Sequence, residues 1–213
     1  MNQAARVAGL YAVTPDTTDT SRLAGMAREV LAGGARLLQY RNKTAGKALR
    51  QEQAHALAQL CREAGVPFIV NDHLDLAMET GADGVHLGRH DVSVAEARYR
   101  LGSGRIVGAS CYDQLTLAIQ AERAGADYIA FGAIFASSTK PDATNAPLDL
   151  LTRARRELRI AIVAIGGVTP DNAASLLGLG VDAVAACDAL FGSDGCRQAA
   201  ERMARSLSPP QPA

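Results

Sequence analysis

Two aspartates, each just beyond a short apolar run, are the residues of this chain whose type and spacing most directly suggest chemistry. Asp72 follows the run at residues 68–70, and Asp91 comes shortly after the run at residues 84–87. Two strands that flank so short a helical segment are expected to be parallel, with their carboxyl ends on one rim. Two carboxylates on that rim could hold a hard divalent cation such as Mg²⁺ against phosphate oxygens. Each aspartate could instead cap the helix that follows it.

Amide and cationic side chains stand at the end of an earlier predicted strand. Gln39, Arg41 and Lys43 alternate along the chain and therefore share one face of an extended segment. Gln39 offers a hydrogen-bond donor and an acceptor, while Arg41 and Lys43 offer donors suited to phosphate. A solvated basic strand end explains the same pattern when it is taken alone. Facing two carboxylates, these cations favour a metal–phosphate site over helix capping.

Two later loops and one strand end add groups that suit an anion. After the sixth predicted strand, Ser137, Thr139 and Lys140 combine hydroxyl donors with a positive charge, although a flexible polar loop is the alternative. After the seventh strand, a glycine pair ending at Gly167 lets the backbone approach a ligand at a helix start. Barrels of alternating strands and helices frequently bind phosphate there. Ser110, just beyond the fifth predicted strand, could add one more donor.

The elements that must position these residues follow a repeat of strand, helix and glycine-containing turn. The apolar runs predict strands at residues 10–13, 35–40, 68–70, 84–87, 105–108, 128–131, 160–165 and 183–186. The segments between them predict helices near 20–32, 47–64, 74–80, 93–101, 114–124, 148–158, 171–178 and 195–206. These units predict a single (β/α)₈ barrel, an α/β fold with its active site at the carboxyl ends of the strands. A doubly wound open sheet is the main alternative, but no dinucleotide-type glycine motif follows the first strand.

Composition narrows the class of protein. The balance of 22 acidic and 22 basic residues gives no overall field that would attract nucleic acid or a membrane surface. The four cysteines have no metal-type spacing, which favours buried thiols in a reducing cytoplasm. Without a signal-peptide core or a membrane-length apolar run, a cytoplasmic protein that acts on small molecules is expected. We expect one domain over residues 1–208 and a loose tail at 209–213, and the sequence does not decide whether the protein is a homo-oligomer. His86 lies within an apolar strand and is expected to be a hydrogen-bonded core residue.

Taken in order, five motifs resemble the thiamine-phosphate synthase family. The resemblance runs over nearly the whole chain, from Leu10 to Phe191. Its most specific pieces are Gln39-Tyr40-Arg41-Asn42-Lys43, Val70-Asn71-Asp72, Ala82-Asp83-Gly84-Val85-His86-Leu87-Gly88, Ser137-Ser138-Thr139-Lys140-Pro141 and Ala164-Ile165-Gly166-Gly167. Each motif alone could arise elsewhere, but five of them in order with barrel spacing give a specific signal.

The resemblance implies a transferase that couples hydroxymethylpyrimidine diphosphate to hydroxyethylthiazole phosphate and releases diphosphate with the help of Mg²⁺. The expected mechanism is dissociative, with charge neutralised on the leaving group by Arg41, Lys43 and Lys140. The implied binding residues are Asp72 and Asp91 for Mg²⁺; Arg41, Lys43, Asn71 and Lys140 for the diphosphate; Gln39 and Ser110 for the pyrimidine; and Ser137, Thr139, Gly167, Cys187 and Asp188 for the thiazole phosphate.

Some residues depart from the family pattern and keep alternatives open. Cys187 and Asp188 stand where family members commonly carry an aliphatic residue and serine, and a carboxylate at Asp188 would repel a phosphate unless it points away. The nearest alternative is a thiazole tautomerase-like or regulatory paralogue that binds thiazole phosphate without synthase activity. Intact Asn71, Asp72 and Lys140 argue against that paralogue. A sugar-phosphate epimerase would need two opposed acid–base groups, which the mixed rim fits less well.

Overall fold

Eight parallel strands close into a barrel in the order in which they occur along the chain. The computed structural model describes residues 6–135, 146–192 and 195–208. The strands are β1 (Gly9–Val13), β2 (Leu37–Tyr40), β3 (Phe68–Asn71), β4 (Gly84–Leu87), β5 (Ile106–Tyr112), β6 (Tyr128–Phe131), β7 (Ala161–Ile165) and β8 (Ala183–Ala186). The helices are α1 (Thr20–Ala32), α2 (Lys47–Ala64), α3 (Leu74–Glu79), α4 (Val94–Leu101), α5 (Leu115–Arg123), α6 (Leu148–Glu157), α7 (Pro170–Leu177), α8 (Asp188–Phe191) and α9 (Cys196–Ser206). The predicted (β/α)₈ barrel is confirmed, and the open-sheet alternative is wrong.

Two details of the predicted elements are wrong. Strand β5 continues four residues past the predicted end at Gly108, so Ser110 lies within the strand and not beyond it. A shift in register between Ser110 and Tyr112 lets the strand continue beside β6. The short helix α8 was not predicted, because a single turn leaves too little periodicity to detect.

Glycines end the turns that lead into the strands, as predicted. Gly34, Gly81, Gly125 and Gly180 all have positive φ, between 67° and 102°. Residues with a side chain rarely adopt this conformation, and it reverses the chain after a helix. The helix starts are set by side chains as well: Asp19 accepts a hydrogen bond from the Arg22 N–H at the start of α1.

Aspartates that follow these turns hold neighbouring strands at the amino end of the barrel. The Asp83, Asp127 and Asp182 carboxylates accept hydrogen bonds from the backbone N–H groups of Phe68, Val107 and Ile162, at 3.0, 2.8 and 2.8 Å. Each carboxylate also pairs with an arginine: Arg6, Arg98 and Arg155 respectively. A charge-assisted hydrogen bond therefore satisfies a donor at the start of β3, β5 and β7. This end of the barrel serves stability, which leaves the opposite end for chemistry.

Two apolar layers form the core, one between the strands and the helices and one inside the barrel. The inner layer contains two buried tyrosines, Tyr11 and Tyr128. Gly108 makes room for the second ring, since a Cβ there would lie 2.0 Å from Tyr128 Cζ. Tyr11 on β1 and Tyr128 on β6 thus point into the barrel and bring hydroxyl groups into its core.

The cysteines are thiols, as predicted. None of the four forms a disulfide; Cys61, Cys111 and Cys196 are buried and Cys187 is half-buried. Among the helices of the described ranges, none has both the length and the apolar character needed to cross a membrane. The predicted tail at 209–213 lies outside the described residues.

Candidate active site

The two aspartates singled out in the sequence lie side by side at the carboxyl end of the barrel. Asp72 directly follows β3 with φ of 63°, and Asp91 lies in the loop after β4. Burial, together with a hydrogen bond to Asp91 and the charge of that residue, raises the pKa of the Asp72 carboxyl. The nearby cations Lys43 and Arg41 lower the same pKa, and Lys43 Nζ lies 3.7 Å from Asp72 Oδ2. The pair is therefore a site of unfavourable negative charge that a cation would stabilise.

Neither aspartate caps the helix that follows it. The N-cap of α3 is His73, which makes no capping hydrogen bond through its side chain, and the N-cap of α4 is Ser93, which accepts from the Glu96 N–H. Asp91 Oδ2 instead accepts a hydrogen bond of 2.6 Å from the Gly88 N–H within its own loop. The capping alternative is wrong for these two residues.

Strand β2 delivers its cations to the same rim. The buried Thr14 hydroxyl both accepts from the Arg41 N–H at 2.9 Å and donates to the Arg41 carbonyl at 3.0 Å, which fixes the backbone at the strand end. Asp16 accepts from the Lys43 N–H at 3.0 Å and from the Arg41 guanidinium at 3.4 Å. The loop that follows β1 therefore fixes the backbone from which Arg41 and Lys43 project at the rim.

The residues between these cations anchor the strand end to helix α2. Tyr40 and Asn42 point away from Gln39, as alternation predicts, and both donate to the Gln53 side-chain oxygen, at 2.9 and 3.0 Å. Gln53 is fully buried and, with Asn42, also donates to the Thr17 carbonyl. This buried polar cluster holds the loop after β2 in place, and sequence reasoning did not identify its members Gln53 and Thr17.

A cavity of about 210 Å³ opens beside the acid pair. Its lining combines amide and cationic groups with one carboxylate: Tyr40, Asn42, Lys43, Arg50, Asn71, Asp72 and His73. Arg50 was not predicted as a site residue; it donates to the Ala45 carbonyl at 2.7 Å, and its buried Nε has no hydrogen-bond partner among the described residues. Burial and the Arg50 charge lower the pKa of His73. The cavity presents a surplus of donors, which suits an anion.

Inside the barrel, below the rim, five polar side chains form one continuous hydrogen-bonded chain. Gln39 Nε2 lies 2.9 Å from the Tyr11 hydroxyl, which lies 2.8 Å from the Tyr128 hydroxyl. His86 Nδ1 lies 2.9 Å from Tyr128, and its Nε2 lies 2.8 Å from Ser110 Oγ. Burial raises the pKa of both tyrosines and lowers that of His86 to about 4, so all three are uncharged at neutral pH. The prediction of His86 as a satisfied core histidine agrees with this placement.

The opposite part of the rim carries the groups expected to meet a second phosphate. Gly166 and Gly167 have φ of 104° and 61°, and Asn172 at the start of α7 donates to the Gly167 carbonyl at 3.1 Å. Burial, then the charge of Asp188, raises the pKa of the Cys187 thiol to about 12, while Arg41 lowers it. The turn after β8 therefore lies near the end of β2. Ser137, Thr139 and Lys140 lie outside the described residues.

Among the predicted residues that the structure describes, the acids and cations thus form a cluster at the rim, and Gln39 and Ser110 lie at the two ends of the interior chain. No group of three or more His, Cys, Asp or Glu side chains within the described ranges could hold a metal ion by itself. Two carboxylates are nevertheless the number that Mg²⁺ commonly takes when substrate phosphates supply further ligands. The fold and the site together are those of a (β/α)₈ enzyme that acts on phosphate-containing substrates.

Comparison with known proteins gives the family. The model of the family described as thiamine monophosphate synthase matches residues 10–190. The thiamine-phosphate synthase of Nitrosospira multiformis is 55% identical over 196 residues, 92% of this chain and 84% of that protein. The thiamine-phosphate synthase of Nitrosomonas eutropha is 52% identical over 200 residues, 94% of each chain. The chain belongs to the thiamine monophosphate synthase family of transferases, as its motifs predicted.

Solved structures agree with this assignment. A thiamine phosphate pyrophosphorylase from Pyrococcus furiosus is similar over 97% of this chain and 98% of its own, with a TM-score of 0.85 and 35% identity. A 3-hexulose-6-phosphate synthase is similar over 93% of this chain and 99% of its own, with a TM-score of 0.70 but only 16% identity. The second likeness extends to the fold alone. The paralogue alternative is not favoured, because the relatives that match over nearly the whole chain are named as synthases.

Proposed function

We propose that this protein joins hydroxymethylpyrimidine diphosphate to hydroxyethylthiazole phosphate, forming thiamine phosphate and releasing diphosphate. The observation that carries the proposal is the contact between the Asp72 and Asp91 carboxyls beside Lys43 and Arg41, next to a donor-rich cavity. Membership of the family supports the same reaction. We also propose a cytoplasmic location, which four cysteines without a disulfide favour.

The leaving diphosphate is held by cations and amides from β2 and β3. Lys43 and Asn71 line the cavity, and Arg41 lies close enough to influence the charge of Asp72. Lys140 would add a further charge from the loop after β6. Arg50 lines the same cavity, and its buried Nε has no hydrogen-bond partner within the described part of the chain, so we add it to this set.

Mg²⁺ fits the paired aspartates. The pKa of Asp72 is raised by burial and by its carboxylate neighbour, and hard oxygen donors are those that this ion prefers. Asp72 and Asp91 would hold the ion, which when bound neutralises charge on the diphosphate. Without it the pair carries repulsion that Lys43 only partly offsets, since its side chain is 56% exposed and 3.7 Å away.

The two rings of the substrates would take the remaining groups. Gln39 and Ser110 face the pyrimidine from β2 and β5, at the ends of the interior hydrogen-bonded chain. Ser137, Thr139, the backbone at Gly167 and the turn at Cys187 and Asp188 would receive the thiazole phosphate. Asp188 is exposed, and backbone N–H groups of this turn would bind the phosphate beside its carboxylate.

The reaction needs no protein nucleophile. The diphosphate leaves with both electrons of its bond to the pyrimidine methylene carbon, and the thiazole nitrogen then donates its lone pair to that cationic carbon. Arg41, Lys43 and Lys140 stabilise charge on the departing group, and the cavity fixes its orientation. Burial raises the pKa of the Cys61, Cys111 and Cys187 thiols to about 12, so they remain protonated at neutral pH.

The test is product formation. Purified protein, both substrates and Mg²⁺ should yield thiamine phosphate and diphosphate in equal amounts, measured by chromatography. A matched reaction without thiazole phosphate should release no thiamine phosphate. Absence of product from the complete mixture, with thiazole phosphate still bound in a calorimetric titration, would contradict the synthase and support the paralogue.

A further inference from the structure

Pairing every hydroxyl hydrogen of the interior chain with an acceptor gives its five polar side chains one direction. Gln39 donates through Nε2 to the Tyr11 oxygen at 2.9 Å. A tyrosine hydroxyl has one hydrogen, and the described acceptor within reach of Tyr11 is the Tyr128 oxygen at 2.8 Å. Tyr128 has then accepted one hydrogen bond, and its own hydrogen goes to His86 Nδ1 at 2.9 Å.

The direction determines the tautomer of His86. A neutral imidazole has one donor nitrogen and one acceptor nitrogen, and Nδ1 accepts from Tyr128. This direction assigns the hydrogen to Nε2, which then donates to Ser110 Oγ at 2.8 Å. The Tyr128 ring also stacks on the imidazole, with centroids 5.5 Å apart and planes 21° apart, so the ring has little freedom to turn.

The two ends of the interior chain consequently present a hydrogen-bond donor and a hydrogen-bond acceptor. At one end, Ser110 Oγ already accepts from His86, and its hydroxyl hydrogen remains for a ligand. At the other end, the Gln39 amide nitrogen is engaged, and its side-chain oxygen accepts no hydrogen bond from the described residues. Ser110 is half-buried at the carboxyl end of β5, where a ligand in the barrel mouth would meet it.

We propose that Tyr11, Tyr128 and His86 are positioning residues whose directional hydrogen bonds make Gln39 an acceptor and Ser110 a donor toward one heteroaromatic ligand. Such a pair selects a ring that carries an amino group and an unprotonated ring nitrogen. This inference rests on the proposed function, because it assigns that aminopyrimidine edge to the substrate that enters with diphosphate. The three residues act through Gln39 and Ser110 and need not contact the reacting atoms.

The tautomer of His86 is the first test, and it requires neither substrate nor activity. Nitrogen–proton correlation spectra of ¹⁵N-histidine-labelled protein at neutral pH should show His86 with its hydrogen on Nε2; the signal is assigned by its loss in His86→Gln. A hydrogen on Nδ1 would mean that the chain runs in the opposite direction, with the Gln39 amide turned over, and would overturn the proposal.

Two matched hydroxyl deletions form the second test. Tyr128→Phe removes the donor to Nδ1, so His86 should become a mixture of tautomers, and KM for the pyrimidine diphosphate should rise about tenfold. Tyr11→Phe deletes a hydroxyl from the same chain but leaves Tyr128 donating to His86, so the tautomer should be unchanged. The affinity for inorganic diphosphate with Mg²⁺ should be unchanged in both variants, because the acid–cation cluster is intact. An unchanged tautomer and KM in a folded Tyr128→Phe variant would overturn the proposal.

A substrate analogue separates this inference from the proposed function. A pyrimidine diphosphate in which a carbonyl replaces the amino group presents an acceptor to the Gln39 oxygen, and it should bind at least about tenfold more weakly than the amino compound. Calorimetric titration measures both affinities without turnover. Equal affinities would overturn the directional account even if thiamine phosphate is formed. Failure of the wild-type protein to form product, with the preference for the amino compound retained, would contradict only the proposed reaction.

Discussion

Acidification should destabilise the protein through His86, which is buried without a carboxylate partner in the interior chain. Burial lowers its pKa from 6.5 to about 4. Because the folded pKa is depressed, the unfolded chain binds more protons between these two values, and stability is lost as the pH falls through that window. At about pH 5 this histidine is almost fully protonated in the unfolded chain and almost neutral in the folded protein. The free energy of unfolding should therefore be about 2 kcal/mol lower than at neutral pH.

Urea unfolding of metal-free protein at about pH 7.5 and about pH 5 measures this loss. His86→Gln lacks the titrating group, so the wild type should lose about 2 kcal/mol more than the variant between the two pH values. Carboxylates titrate alike in both proteins and cancel in the comparison. His90→Gln removes an exposed imidazole and is the control: its free energy of unfolding should fall between the two pH values by as much as that of the wild type. Equal losses in the wild type and His86→Gln would refute the reasoning that burial keeps this histidine neutral.

Two further substitutions test the amino end of the barrel and the second phosphate site. Asp127→Ala should lower the free energy of unfolding by about 2 kcal/mol, since it removes the carboxylate that accepts from the Val107 N–H and pairs with Arg98. Asp75→Ala is the control: it removes a carboxylate that is 88% exposed and should lower the free energy of unfolding by no more than about 0.5 kcal/mol. Urea titrations measure both losses, and equal losses would contradict the role of the half-buried Asp127 carboxylate. Asp188→Ser should lower KM for thiazole phosphate by removing a negative charge near that phosphate, with KM for the pyrimidine diphosphate unchanged in steady-state kinetics. A rise in KM for thiazole phosphate would show that the carboxylate does not repel it.

Much of the barrel was predictable because its signals are local. Short apolar runs, amphipathic segments and glycines such as Gly81 and Gly125 mark the units, and the observed positive φ values explain the glycines. The rim cluster was predictable in outline, since parallel strands bring their carboxyl ends together and thereby bring Asp72 near Asp91.

The interior chain could not be predicted from the same signals. Tyr11 and Tyr128 are 117 positions apart, and their contact depends on the register and closure of the barrel. One signal was available, because Gly108 interrupts an apolar strand at the point where the Tyr128 ring needs room. The cavity position of Arg50 depends on how α2 sits on β2, which the helical periodicity does not define.

We propose that Asp72 and Asp91 hold Mg²⁺ against a diphosphate beside Lys43 and Arg41. Calorimetric titration of inorganic diphosphate tests it most directly, with and without Mg²⁺, on the wild type and on Asp72→Asn. Burial and Asp91 raise the pKa of Asp72, so the neutral asparagine should leave the metal-free fold at least as heat-stable. We expect tight binding by the wild type only with Mg²⁺, and loss of that Mg²⁺ dependence in Asp72→Asn. Equal diphosphate affinity in the two proteins with Mg²⁺ present would contradict it.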